Sequence, residues 1–446
     1  MLLTEVDDVR VGGQAAEAVA ADMGLYADPK LEAYVNEVGQ SLLRGVPRMG
    51  FQYQFKLVDQ SEPNAFALPG GYIFVSRGLL ALVGSEDELA NVLGHEITHV
   101  ARRHGAMQQA LAEAGPLAMP WIRAASQAAY GRDMENEADQ GGQLLAAAAG
   151  YDPMAMSTFM RKLDHLERIR IGGVRQTRFV DTHPGSSERA AVNAARSHEI
   201  RRRQVAGRGG EPRLYLQRIE GLPVGPRPET GVFVGDIFLH PAMDFQLRFP
   251  AGWSVANTNR AVGAVSPRRD AMIYLTAAQQ RELDPEQAAL AFAVETSQTL
   301  PVEVVRSEPV KVAGIDAWRL QLDGSARGGS VQANVTFIPY RGAMYRITGV
   351  SSRIAARDYA GRMLATARSF RPLLERERAM IDEVRLRIEA TRAGEDLAAL
   401  SRRAGSSWSL AEIAVYNGLF TTHRFQGGEL VKTARRERID RDASSR

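Results

Sequence analysis

The sequence contains no cysteine among its 446 residues. That absence removes disulfides, thiol nucleophiles and thiolate metal ligands together. No run of about 18 apolar residues occurs, so no segment is expected to span a membrane. Met1 to Arg10 carry Glu5, Asp7 and Asp8 without an apolar stretch and do not read as a secretory signal. A chain starting after a removed signal would look the same, so the compartment stays open at this point. A strong excess of one charge is also lacking, the formal net charge being +3. The densest basic stretch, Arg201-Arg202-Arg203 with Arg208 and Arg213, has no interleaved aromatics and sits beside glycines, which makes it a solvated linker rather than a nucleic-acid patch. There is no internal repeat and no low-complexity tract.

What is present is ordinary for a folded protein: 45% hydrophobic and 24% charged residues. The length suggests roughly two to four domains. A chain this long buries a sizeable core without metal or disulfide staples, so a metal here is expected to be catalytic. Asp28-Pro29 opens a helix carrying Leu31, Tyr34, Val35, Val38 and Leu42 at helical spacing. Phe51, Tyr53, Phe55 and Leu57 alternate as a strand. Pro69-Gly70-Gly71 reads as a turn, followed by an edge strand at Tyr72 to Ser76. Ser85 to His104 is the clearest helix: Ser85 and Glu88 form a capping-box pattern, Leu89, Val92, Leu93, Ile97 and Val100 make a buried stripe, and Gly105 stops it. Further helices are expected from Asp133 to Ala149 and from Asp152-Pro153 onward.

The central motif is His95-Glu96-Ile97-Thr98-His99. Histidines four apart share a helix face, so both imidazoles can reach one zinc at about 2.0–2.1 Å. Glu96 follows the first histidine and projects beside the metal, where it can take a proton from the attacking water. Zinc lowers the pKa of that water towards about 7 and polarises the scissile carbonyl. A third ligand is still needed. A third histidine in the metzincin pattern is excluded, because Arg102 stands where its glycine belongs and Gly105 where its histidine belongs. A carboxylate from the later helix is left. Glu135 and Asp139 are four apart and share a face; one can bind zinc while the other hydrogen-bonds a ligand or a developing oxyanion. Glu137 points elsewhere by the same geometry.

These residues resemble the gluzincin family of zinc endopeptidases that includes the heat-shock membrane peptidase, the CAAX prenyl endopeptidase and the periplasmic β-barrel assembly-enhancing protease. The resemblance covers roughly residues 10 to 200. It rests on Asn64-Ala65-Phe66-Ala67-Leu68-Pro69-Gly70-Gly71, on Ser85 to Leu93 leading into the histidine motif, on Glu135 to Asp139, on Gly150-Tyr151-Asp152-Pro153 and on Thr182-His183-Pro184. It implies that His95, His99 and Glu135 hold one Zn2+, that Glu96 is the catalytic base, and that Asp139 is a proton donor or partner of a ligand. It also implies a position for His183 near the metal, where it would fill the fourth place and keep the enzyme self-inhibited until a loop moves. A helix-capping or packing histidine is the other role open to it. His104, His165, His198, His240 and His423 show no partner pattern and read as surface or core residues. By the same resemblance the chain belongs with the soluble, periplasmic or envelope-associated branch that acts in protein quality control. Its substrates would be proteins or peptides held as an added strand.

The expected fold class is α+β and multidomain: a mainly helical zincin-type peptidase domain with a small edge sheet over residues 1–205, a linker over 206–232, an α+β accessory domain over 233–375 and a small C-terminal unit over 376–446. In the accessory domain the strands expected are Phe245 to Phe249, Ala271 to Leu275, Val331 to Ile338 and Ala343 to Val350. Its expected helices are Glu286 to Thr299 and Ala355 to Ser369, and Trp253 is a core residue. A charged helix is expected from about Leu373 to Ala390. The last unit resembles a LysM domain, a βααβ module, through Ala393 to Leu397, Tyr416-Asn417-Gly418-Leu419 and Gly427-Gly428-Glu429-Leu430. Related modules hold peptidoglycan, although Gly428 replaces the usual acceptor. The function expected is a zinc endopeptidase of unfolded or misassembled envelope proteins; a chaperone-like or peptidoglycan-binding envelope protein with rare proteolysis is the alternative.

Overall fold

The computed structural model describes residues 5–105, 131–169, 179, 183, 186–201, 211–278, 284–326 and 329–438. Thr182 and Pro184 of the histidine motif, and Arg202, Arg203 and Arg208 of the basic stretch, lie outside the described residues. Two compact units emerge. One holds the described residues up to Gly225 together with Val384–Glu437; the other is built on Pro226–Glu383.

The first unit opens with α1 (Glu5–Met23) and α2 (Pro29–Leu42). Asp28 caps α2 by accepting from the Leu31 amide at 3.0 Å, and Leu31, Tyr34, Val35, Val38 and Leu42 are buried. Three strands follow, β1 (Gln54–Val58), β2 (Ala65–Leu68) and β3 (Tyr72–Ser76), in the order β1-β3-β2. The strand expected at an edge, Tyr72–Ser76, is therefore central, and the edges are β1 and Ala65–Leu68. Gly70 (φ 78°) and Gly71 (φ 90°) account for this correction. Their left-handed backbone, cheap only for glycine, reverses the chain so that β2 folds back antiparallel on β3 while β1 pairs parallel on its other side.

α3 (Arg77–Leu82) and α4 (Glu86–Ala101) come next. Ser85 accepts from the Glu88 amide at 3.2 Å. The Glu88 carboxylate does not complete the expected box; it binds the Gly84 amide at 2.7 Å and Lys162 at 2.8 Å. α4 ends before His104, because Arg103 turns the chain with φ 57° and its guanidinium donates to Asp8 at 2.7 Å.

α5 (Arg132–Ala148), α6 (Ala155–Ile169), α7 (Ser186–Arg201) and α8 (Pro212–Arg218) complete this part. α4 and α5 pack almost backbone to backbone. A Cβ on Gly94 would lie 2.8 Å from the Gly142 carbonyl oxygen, and one on Gly142 would lie 2.7 Å from the His95 amide nitrogen.

The second unit is α+β. A four-stranded sheet is formed by β4 (Val232–Val234), β5 (Ile237–His240) and β6 (Phe245–Arg248) with the later β14 (Arg371–Pro372), in the order β14-β6-β5-β4. A seven-stranded antiparallel sheet contains β7 (Ser254–Asn257), β8 (Ala261–Val265), β9 (Ala271–Ala278), β10 (Val302–Val312), β11 (Ile315–Ala326), β12 (Gly329–Tyr340) and β13 (Ala343–Ser352), in the order β10-β11-β12-β13-β9-β8-β7. α9 (Pro285–Thr299) and α10 (Ala356–Arg368) pack on it. Trp253 is a core residue, edge-on to Tyr359.

The charged helix expected over Leu373 to Ala390 does not form. Only Glu375–Arg378 makes a helical turn, and Asp382–Ala390 is a strand, β15. Val384, Leu386 and Ile388 alternate with Glu383, Arg385, Arg387 and Glu389, a period of two that suits a half-buried strand, and Leu386 is fully buried. α11 (Leu397–Ala404) and α12 (Leu410–Asn417) lie between β15 and its partner β16 (Leu430–Arg438). Leu386, Val415, Tyr416 and Ala434 share the main core of the first unit. Buried Lys432 donates to the carbonyls of Ala81, Leu82 and Val83 at 2.8, 3.0 and 2.9 Å. Those are the carbonyls that the end of α3 leaves without helical partners. Lys432→Met is expected to cost about 2–3 kcal/mol by stranding these acceptors, read as a lower urea midpoint; an unchanged midpoint would show that they find other donors.

Candidate metal centre

α4 carries His95 and His99 one turn apart on its buried face, and Glu96 beside them is also fully buried. α5 carries Glu135 and Asp139 one turn apart, both buried. The close crossing at Gly94 and Gly142 lets these short side chains meet. His183 enters from a separate segment: its amide donates to the Phe179 carbonyl at 2.7 Å, and the two rings stack at 4.2 Å between centroids.

The donor atoms of His95, His99, Glu135 and His183 all lie within 4.8 Å of one another. His95 Nε2 is 2.9 Å from His99 Nε2 and 3.2 Å from His183 Nδ1. His183 Nδ1 is 3.0 and 3.1 Å from the two Glu135 oxygens, and His99 Nε2 is 3.4 Å from Glu135 Oε1. The outer nitrogens are engaged as well. His95 Nδ1 is 2.9 Å from Asp139 Oδ1, and His99 Nδ1 is 2.9 Å from His104 Nδ1.

This arrangement fits a cation. A carboxylate only accepts, so His95 carries its proton on Nδ1 and turns a lone pair on Nε2 towards the centre. Two imidazole lone pairs and a carboxylate converging in a buried space repel unless a positive ion lies among them. Two histidines and a carboxylate with a further nitrogen suit zinc.

Arg189 on α7 is the main counter-charge. Its guanidinium holds Asp139 through Nε at 2.8 Å and Nη2 at 2.6 Å, and reaches Glu135 Oε2 at 2.6 Å through Nη1. Asn193 donates to Asp139 Oδ2 at 2.9 Å. Burial alone would raise both carboxyls. For Asp139 the hydrogen bonds from Arg189 and His95 outweigh it, and for Glu135 the charge and hydrogen bond of His183 with that of His99 do, so both sit well below the usual range. Burial holds His99 well below the ordinary imidazole value, and the charge of His95 adds to this. Glu96 is the exception. Burial, helped by the charge of Glu135, pushes its pKa up to about 8. His183 Nε2 stands 3.5 Å from its Oε1.

All six residues singled out from the sequence thus gather around one centre. Arg189, Asn193 and His104 were missed. Arg189 and Asn193 follow the histidine motif on α7, four apart like the acids they bind, a spacing that was available as a signal. His104 follows the turn at Arg103, which breaks the helical register that would have tied it to His99.

A helix bearing two histidines around a glutamate, met by a carboxylate from a second helix, defines a metallopeptidase-type site. The comparisons are specific about which. Residues 29–197 match the family model for peptidase family M48, and the chain carries a domain of that family. The β-barrel assembly-enhancing protease of Escherichia coli (strain K12) is 28% identical over 219 residues, 44% of this chain and 44% of that protein. The mitochondrial metalloendopeptidase OMA1 of Schizosaccharomyces pombe is 30% identical over 196 residues, 39% of this chain and 57% of that protein. The putative β-barrel assembly-enhancing protease of Vibrio cholerae is 34% identical over 161 residues, 30% of this chain and 33% of that protein. The chain spans about half the length of the curated relatives it matches, or less.

Two outcomes follow, the first for the protein stripped of metal by chelation and the second for the metal-loaded protein. With a folded-state pKa of about 8 against 4.5, Glu96 contributes nothing below pH 4.5, where both states are protonated. Stability then falls as pH rises to 8, because only the unfolded state ionises readily. Glu96→Gln is therefore expected to raise the Tm of metal-free protein at pH 7 by at least a few degrees, at about 2–4 °C per kcal/mol for a unit of this size, with the gap closing below pH 4.5. Gly142→Ala is expected to cost about 1–3 kcal/mol by overpacking the helix crossing, and to lower metal retention on gel filtration.

Proposed function

We propose that this protein is a zinc-dependent endopeptidase in which His95, His99 and Glu135 hold the metal and Glu96 is the general base. The observation that carries this reading is the convergence of the buried donors within 4.8 Å, with Glu96 fully buried beside them. A bound zinc supplies Lewis acidity for the scissile carbonyl and acidifies water. Glu96 accepts the proton of the attacking water and passes it to the leaving amine. The 2.9 Å approach of Asp139 to His95 Nδ1, with Arg189 and Asn193 occupying the Asp139 oxygens, supports a ligand-orienting role for Asp139 over proton donation.

His183 Nδ1, 3.2 Å from His95 Nε2, supports a fourth, inhibitory ligand that leaves when substrate or a partner opens the site. The same contact favours a second reading, a chaperone-like protein whose proteolysis is rare. The substrates proposed are unfolded or misassembled envelope proteins. The names of the relatives, which concern β-barrel assembly and mitochondria, support action near membranes, and no described helix is long and apolar enough to cross one. The βααβ order of the C-terminal segment supports peptidoglycan contact, testable by pull-down of the whole protein.

Cleavage of casein by the wild type, Glu96→Gln and His183→Ala, with bound zinc quantified in each, tests the assignment. Glu96→Gln is expected to keep its zinc and lose about 10²–10⁴-fold in rate, and His183→Ala is expected to cleave faster than wild type. Absence of zinc from the wild type would sink the assignment. Inactivity of all three zinc-loaded proteins would favour the chaperone-like reading.

A further inference from the structure

A histidine that binds a metal through one ring nitrogen needs its other nitrogen anchored, because that contact sets the tautomer and the ring's aim. His95 has Asp139 for this purpose. At the outer nitrogen of His99 stands a second imidazole: His99 Nδ1 faces His104 Nδ1 at 2.9 Å. Two imidazole nitrogens at that distance share one proton, and its owner is decided further out. His104 Nε2 lies 3.2 Å from Glu137 Oε2, and Glu137 is held by Arg102 Nε at 3.0 Å. The carboxylate only accepts, so His104 carries its proton on Nε2 and offers a lone pair on Nδ1. His99 must then donate from Nδ1, which leaves the lone pair on its Nε2, the atom 2.9 Å from His95 Nε2. His104 is buried, with 2% of its surface exposed, and its ring stands edge-on to that of His99.

We propose that His104 is a positioning residue for the metal, one link in a Glu137–His104–His99 relay that fixes His99 as an Nε2 ligand. The proposal rests on the reading of His95, His99 and Glu135 as ligands. It makes the two histidine ligands unequal. His95 is backed directly by a carboxylate, whereas His99 is backed by a neutral ring that passes the influence of Glu137 inward without adding a charge beside the buried centre.

Zinc affinity measured by chelator competition on wild type, His104→Ala, His104→Asn and Glu137→Gln tests this, with thermal unfolding of each metal-free protein as the control for folding. His104→Ala is expected to weaken zinc binding by about 10–100-fold. His104→Asn, whose side-chain oxygen can accept from His99, should recover most of that loss. Glu137→Gln should fall between wild type and His104→Ala, since Glu137 is half exposed. Wild-type affinity in a folded His104→Ala protein would overturn the relay and leave the ligand assignment intact. Equal losses in His104→Ala and His104→Asn would also overturn it, assigning His104 to packing alone. Failure of the wild type to bind zinc would overturn both readings together.

Discussion

The closeness of two helices is the constraint on which the centre depends. α4 brings the imidazoles and α5 the carboxylates, and side chains as short as aspartate and histidine bridge two helices only where the backbones nearly touch. Helices in proteins usually pack with axes about 8–10 Å apart, separated by side chains. Gly94 and Gly142 remove those side chains where the helices cross, and any Cβ there would collide with backbone of the opposite helix. Two turns back along α5 from this contact, Glu135 meets His95 and His99. The N-terminal cap of α4, the buried ion pair of Glu88 with Lys162 and the sheet β1-β3-β2 serve to hold α4 in that position.

Closeness has an electrostatic consequence. Three carboxylates, Glu96, Glu135 and Asp139, are buried in one place with Arg189 as their guanidinium counter-charge. Arg189 and the histidines satisfy Glu135 and Asp139, which stay ionised. Glu96 lies next to them with the least compensation, so its proton is held more tightly than water alone would dictate. The same surplus of negative charge makes a divalent cation the natural occupant of the space between the donors.

The C-terminal segment is part of this construction. Val384–Glu437 belongs to the unit that contains the centre, and Lys432 closes the end of α3, three residues before α4 begins. The helix that bears the histidines is thereby tied down by residues more than three hundred positions away in sequence.

Most of the centre was legible in the sequence, because its residues follow helical spacing: His95 and His99 four apart, Glu135 and Asp139 four apart, each set behind a recognisable helix. The accessory strands were legible for the same reason, local periodicity, whereas the βααβ order of the last segment was suggested only by its resemblance to a LysM domain. Over Leu373 to Ala390 the charge density suggests a helix, whereas the period of two in its apolar residues makes Asp382–Ala390 a strand. The central position of Tyr72–Ser76 was missed because it depends on two other strands choosing their partners. What the sequence by itself determined is which residues share a face. Only the tertiary structure decided which faces meet: that Arg189 and Asn193 complete Asp139, that His183 turns inward, and that His104 backs His99. Those pairings span breaks in secondary structure, where local spacing carries no information and three-dimensional packing alone sets distance.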